Sequence, residues 1–92
     1  MNDPCPVLFY SALADLIRSV AQEHHIPEEW ILSRSRSPKT ARARWAVWAT
    51  MYLEWRMSYS EIGRIWHYNH KTVAYGVRRY GEEITTQEKG SK

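Results

Sequence analysis

The sequence predicts a small all-α domain in which a helix-turn-helix packs around a buried central helix. Three observations predict it. Apolar residues recur at helical spacing along most of the 92-residue chain. The stretch Trp45 to Leu53 carries no charge on any face, which in a soluble protein marks a helix wrapped by its neighbours. Ser58-Tyr59-Ser60-Glu61 fits a capping box, and a second cap residue, Asn69, follows a short helix later. Residues 1–84 are expected as one helical domain with the helix-turn-helix at about 58–80, and the polar residues 85–92 as a disordered tail.

Each element has its own warrant. From Phe9 to about His25, Leu13, Leu16, Ile17 and Val20 share one helical face. A short helix follows, with Pro27 suited to its first turn and Trp30, Ile31 and Leu32 apolar. Ser33 to Ser37 alternate serine with arginine and read as an exposed loop. A long helix from Pro38 to about Arg56 has Ser37 as its cap residue. Core packing accounts for Trp45, Trp48 and Trp55, and Trp48 is expected to be largely buried. After the capping box, Tyr59, Ile62, Ile65 and Trp66 share a face until His67 and Tyr68 break the pattern. Asn69 then opens a last helix to about Tyr80, ended by Gly81. In it Val73, Val77 and Tyr80 form an apolar stripe, and Lys71, Tyr75, Arg78 and Arg79 a basic one.

Composition excludes several classes of function. Ninety-two residues suit one domain, and five tryptophans and six tyrosines enlarge the core that so short a chain can bury. One cysteine, Cys5, rules out a disulfide framework or a thiolate metal site. The uncharged run Pro4 to Ala14 falls far short of the roughly 20 apolar residues of a membrane span and lacks the flanks of a signal peptide. A soluble, cytoplasmic protein is expected. His24 and His25 are adjacent and so do not share a helix face, and no H-E-x-x-H, nucleophile-elbow or apolar carboxylate pair occurs. No catalytic residue, metal site or cofactor is expected, and the chain is not read as an enzyme.

Charge points to a partner. The net charge of +3 is unevenly placed. Residues 1–33 carry Asp3, Asp15, Glu23, Glu28 and Glu29 against Arg18. Residues 34–79 carry Arg34, Arg36, Lys39, Arg42, Arg44, Arg56, Arg64, Lys71, Arg78 and Arg79 against Glu54 and Glu61. A basic half joined to an acidic half suits a polyanion, although a solvated basic surface produces the same imbalance. Lys39, Arg42 and Arg44 sit where the helix dipole disfavours cations by roughly 0.3–1 kcal/mol each. Stability alone would place acids there. With the backbone N–H groups of a helix start, these cations make a phosphate site, and the Ser/Arg loop upstream is suited to a narrow minor groove.

The motifs Leu32-Ser33-Arg34-Ser35-Arg36, Ala41-Arg42-Ala43-Arg44, Ser58-Tyr59-Ser60-Glu61-Ile62-Gly63-Arg64 and His70-Lys71-Thr72-Val73 occur in this order. With them the chain resembles, over roughly residues 11–80, the C-terminal DNA-binding domain of the bacterial replication initiator DnaA, in a stand-alone form like those of phages and mobile elements. The resemblance implies a helix-turn-helix in the major groove and a loop arginine in the adjacent minor groove. Arg36 matches that arginine, or Arg34 if the loop slips. Arg44 matches a phosphate-contacting arginine, and His70 and Thr72 match base-contacting positions. Where the family has Arg-Asp-His, this chain has Tyr68-Asn69-His70, and Lys71 replaces a small hydroxyl residue. The lost arginine is a strong reader of guanine. Asn69 suits adenine and Lys71 guanine, unless Asn69 is occupied as a helix cap. The chain has no phosphate-binding G-x-x-x-x-G-K-[ST] motif, so no nucleotide is expected.

The resulting expectation is sequence-preferring double-stranded DNA binding in replication or transcription control. The expected DNA-binding residues are Arg34, Arg36, Lys39, Arg42, Arg44, Tyr68, Asn69, His70, Lys71, Thr72, Tyr75, Arg78 and Arg79. Two other readings stand beside it. One is a protein-interaction module that inhibits or recruits a replication factor, in keeping with the acidic first helix. The other is a single-strand binder that stacks bases on Tyr68 and Tyr75.

Overall fold

A computed structural model describes residues 6–34 and 37–90, with side chains from 8 to 34 and 37 to 82. It contains five helices among these residues: α1 (Pro6–His24), α2 (Glu28–Leu32), α3 (Pro38–Leu53), α4 (Tyr59–Trp66) and α5 (His70–Gly90). The described residues form no strand.

The uncharged helix is central, as its sequence requires. α3 packs against each of the other four helices. Its Ala43, Ala46, Val47, Trp48, Ala49 and Met51 are buried on several faces, against Leu13, Ile17 and Val20 of α1, Ile31 of α2, Ile62 of α4, and Val73 and Val77 of α5. Trp48 is 1% exposed, while Trp45 and Trp55 are partly buried against the same core. Gly76 allows the closest of these approaches. A Cβ there would stand 2.4 Å from Trp45 Cδ1 and 3.0 Å from Trp48 Cε3.

Helix ends follow local chemistry. Ser58 Oγ accepts the Glu61 N–H at 3.1 Å and Glu61 Oε1 accepts the Ser58 N–H at 2.9 Å, the reciprocal capping box expected at α4. Ser37 holds the cap position of α3 through its carbonyl, which accepts the Ala41 N–H at 2.8 Å, and makes no side-chain cap bond. Pro27 stands at the cap position of α2 rather than inside its first turn.

α1 and α4 both close with a left-handed histidine, His25 at φ 58° and His67 at φ 62°. In each, the next N–H reaches back six residues inclusive: Ile26 to the Ala21 carbonyl at 3.1 Å and Tyr68 to the Gly63 carbonyl at 2.8 Å. Arg56, also left-handed at φ 61°, turns the chain after α3, which ends at Leu53 and not at Arg56. α5 does not end at Gly81. Glycine terminates a helix by adopting the left-handed conformation, and no glycine here has a positive φ, so α5 runs on to Gly90.

Candidate nucleic-acid interface

The turn between α4 and α5 is built on one close approach. A Cβ on Gly63 would lie 2.5 Å from the Tyr68 carbonyl oxygen, so only glycine lets the chain return this tightly. The turn delivers Asn69 to the head of α5. Its Oδ1 accepts the Lys71 N–H at 2.8 Å and its carbonyl accepts from Thr72 and Val73. Asn69 is thus engaged as a helix cap, the role that competes with base reading. His70, Lys71 and Thr72 are exposed in the first turn, while Val73, Gly76 and Val77 are buried. Tyr75 is 53% exposed and meets Trp45 edge-on, with centroids 6.0 Å apart. Arg78 and Arg79 are exposed further along, Arg79 3.6 Å from Glu82.

Tyr68 does not project outward. Its ring is half-buried, with Trp48 against one side at 5.1 Å and the Arg34 guanidinium over it at 4.4 Å. Arg34 also donates from Nη2 to the His67 carbonyl at 2.6 Å. The loop after α2 is thereby fastened to the helix-turn-helix turn, across 33 residues of sequence. The Arg34 guanidinium occupies a place over the ring that a stacked base would take.

The three cations at the start of α3 do not form one patch. Arg44 is 5% exposed. Its Nε donates to the Ile31 carbonyl at 3.0 Å, and its Nη2 donates to the carbonyls of Ser33 at 2.6 Å and Trp30 at 3.3 Å. The Trp30 carbonyl also accepts from the Ser33 N–H and hydroxyl, and the guanidinium adds a donor for it and for the Ile31 and Ser33 carbonyls at the end of α2. Burial pulls the Arg44 pKa down, with the Tyr68 hydroxyl opposing and Arg34 adding to the fall. Arg44, expected at a phosphate, is engaged by backbone carbonyls in this structure. Lys39 and Arg42 are exposed and stand about 140–160° around the helix from Arg44. Both lie near the end of α1, where they add to burial, the larger cause, in holding the half-buried His24 below the ordinary histidine pKa. Glu23 opposes them.

Arg36, the position matched to a minor-groove arginine, lies outside the described residues. The structure thus brings Arg34, Tyr68, Asn69, His70, Lys71 and Thr72 together, and sets Lys39 and Arg42 apart beside α1. Sequence reasoning missed the joining of Arg34 to His67 and Tyr68. No short-range pattern encodes a contact between a loop and a turn so far along the chain. Among the described residues no group of three or more His, Cys, Asp or Glu side chains is placed to hold a metal ion. No described helix is long and apolar enough to cross a membrane.

Comparison with known proteins agrees with this geometry. Residues 13–79 match a family model described as the bacterial dnaA protein helix-turn-helix. The chain is 29% identical over 69 residues to the chromosomal replication initiator protein DnaA of Mycoplasma pneumoniae. That alignment covers 75% of this chain and 16% of the longer protein. No solved structure matches.

Proposed function

The chain belongs to the bacterial DnaA helix-turn-helix family, whose domains bind double-stranded DNA, and from that premise we propose that it is a sequence-preferring duplex binder acting in replication or transcription control. α5 enters the major groove by its first turn, where His70, Lys71 and Thr72 meet base edges. The basic loop through Arg36, with Lys39 and Arg42, engages the minor groove and flanking phosphates.

The observation that carries this reading is the first turn of α5. Three polar side chains stand exposed there while the opposite face, through Val73, Gly76 and Val77, is locked to α3. A rigid scaffold thus offers a small set of donors at the end of a helix, the arrangement that base readout needs. Binding to preferred and scrambled duplexes across a range of salt tests it. Log affinity is expected to fall linearly with log salt, by about 0.9 per phosphate neutralised. Lys71→Ala is expected to relax preference at one or two base pairs, and equal weakening on both duplexes would remove α5 from base reading.

One observation favours a second reading, a protein-interaction module. A groove of about 340 Å³ is lined by Phe9, Ala12, Trp55, Met57 and Glu61, and Leu8 and Tyr10 nearby are 68% and 59% exposed. Ala12→Arg, which blocks this groove, leaves duplex binding intact if DNA is the partner of α5.

A further inference from the structure

We propose that Arg34 is a base-reading residue of this domain, a guanidinium held on the Tyr68 ring beside the head of α5 so that its open edge meets a guanine in the major groove. The proposal rests on the reading of α5 as the recognition helix.

Two attachments fix this side chain. The Tyr68 ring beneath it, 4.4 Å from Cζ, sets the plane of the guanidinium. The bond from Nη2 to the His67 carbonyl, at 2.6 Å, sets its rotation within that plane. The ring is itself immobilised by Trp48. Arginine has five N–H donors in a planar fork, and this contact uses one corner of it. Arg34 as a whole remains exposed, and Nε and Nη1 make no contact with the His67 carbonyl.

The place matters as much as the pose. His67 and Tyr68 immediately precede Asn69 and His70, the head of the helix whose first turn meets base edges. Arg34 therefore stands with the reading residues, not with Lys39 and Arg42 beside α1. The buried Arg44 guanidinium comes within 5.8 Å of the same ring, so two positive charges converge on one phenol. Such a spot attracts acceptors. A phosphate is satisfied by any cation of any orientation, whereas a fork fixed in plane and rotation matches two acceptors fixed on one edge, as guanine presents with O6 and N7. The side chain has also surrendered its rotamer freedom before binding, which favours a directional contact over a loose one. Tyr68 thus becomes a platform, and the cation arrives from the loop instead of from the turn itself.

The test uses the full chain and the duplex it prefers after selection from random sequences. Arg34→Ala is expected to lower discrimination at a single G·C pair by roughly five- to a hundredfold, the worth of one bidentate base contact. Replacing that guanine by 7-deazaguanine, which lacks the N7 acceptor, is expected to weaken the unmodified chain but not Arg34→Ala. Tyr68→Phe, which keeps the ring, is expected to retain the preference. Equal weakening of Arg34→Ala on preferred and scrambled duplexes, with a flatter salt slope, would make Arg34 a phosphate contact and overturn the proposal. So would a lower melting temperature with discrimination unchanged, which marks a purely structural tie. A chain whose base preference is lost in Lys71→Ala but unchanged in Arg34→Ala overturns the proposal alone. A chain that binds no duplex removes the recognition-helix reading and the proposal together.

Discussion

Trp48 and Tyr68 meet edge to face, with ring centroids 5.1 Å apart and planes at 69°, and this contact joins the central helix to the turn ahead of α5. On sequence grounds, Tyr68→Arg restores a family residue and is expected to move base preference toward the family's usual site. The geometry predicts otherwise. The substitution removes an aromatic pair worth about 0.5–1.5 kcal/mol and sets a third guanidinium beside Arg34 and Arg44. A loss of roughly 1–3 kcal/mol in urea unfolding is expected, with no gained preference in duplex selection.

Arg44 is expected to matter for folding more than for DNA. Arg44→Ala leaves the carbonyls of Ile31, Ser33 and Trp30 without this donor and should cost roughly 2–4 kcal/mol. Arg44→Lys restores the charge but not the planar fork, and is expected to recover little of the loss. The salt slope of duplex binding, measured below the melting point, should stay unchanged. A slope flatter by one unit would return Arg44 to the phosphate backbone.

The two close-approach glycines should respond differently to alanine. At Gly63 the new methyl meets a backbone carbonyl, which cannot move without opening the turn, so Gly63→Ala should cost roughly 3 kcal/mol and abolish duplex binding. At Gly76 the methyl meets the partly buried Trp45 ring, which can shift, and alanine recovers about 1 kcal/mol of helix propensity. A net loss near 1 kcal/mol is expected, with a change in tryptophan fluorescence as Trp45 moves off Tyr75.

His24 should make stability depend on pH. Its folded pKa is lowered by burial and by Arg42 and Lys39, so the unfolded chain binds more protons below the ordinary value of 6.5. Stability is then full above 6.5, falls as pH drops toward the lowered folded value, and levels off below it. Thermal melts of the native chain and His24→Gln across pH 5–8 check this, the variant giving the flatter profile.

What could be read in advance was local. Ser58 and Glu61 are three residues apart, and the bonds between them depend on nothing else. The buried course of α3 followed from nine consecutive uncharged residues, 45–53. Asn69 as a cap followed from the break at His67 and Tyr68. The structural bonds of Arg44 were not foreseen because its partners are carbonyls 11–14 residues upstream, and backbone acceptors leave no trace in side-chain pattern. Arg34 and His67 are farther apart still. Gly81 misled because glycine permits a left-handed end without compelling it.

Three corners of this molecule are turned by His25, Arg56 and His67 in a conformation that costs an L-residue about 1 kcal/mol relative to glycine. The backbone therefore holds untapped reserve. His25 and Arg56 lie away from the head of α5, so glycine at either can raise stability by some tenths of a kcal/mol without touching the reading residues. Substitutions in a recognition surface are mostly destabilising, and a scaffold able to absorb them can change its target site and stay folded. The left-handed corners thus bear on evolvability: they set how far the residues around α5 can drift before the domain fails to fold.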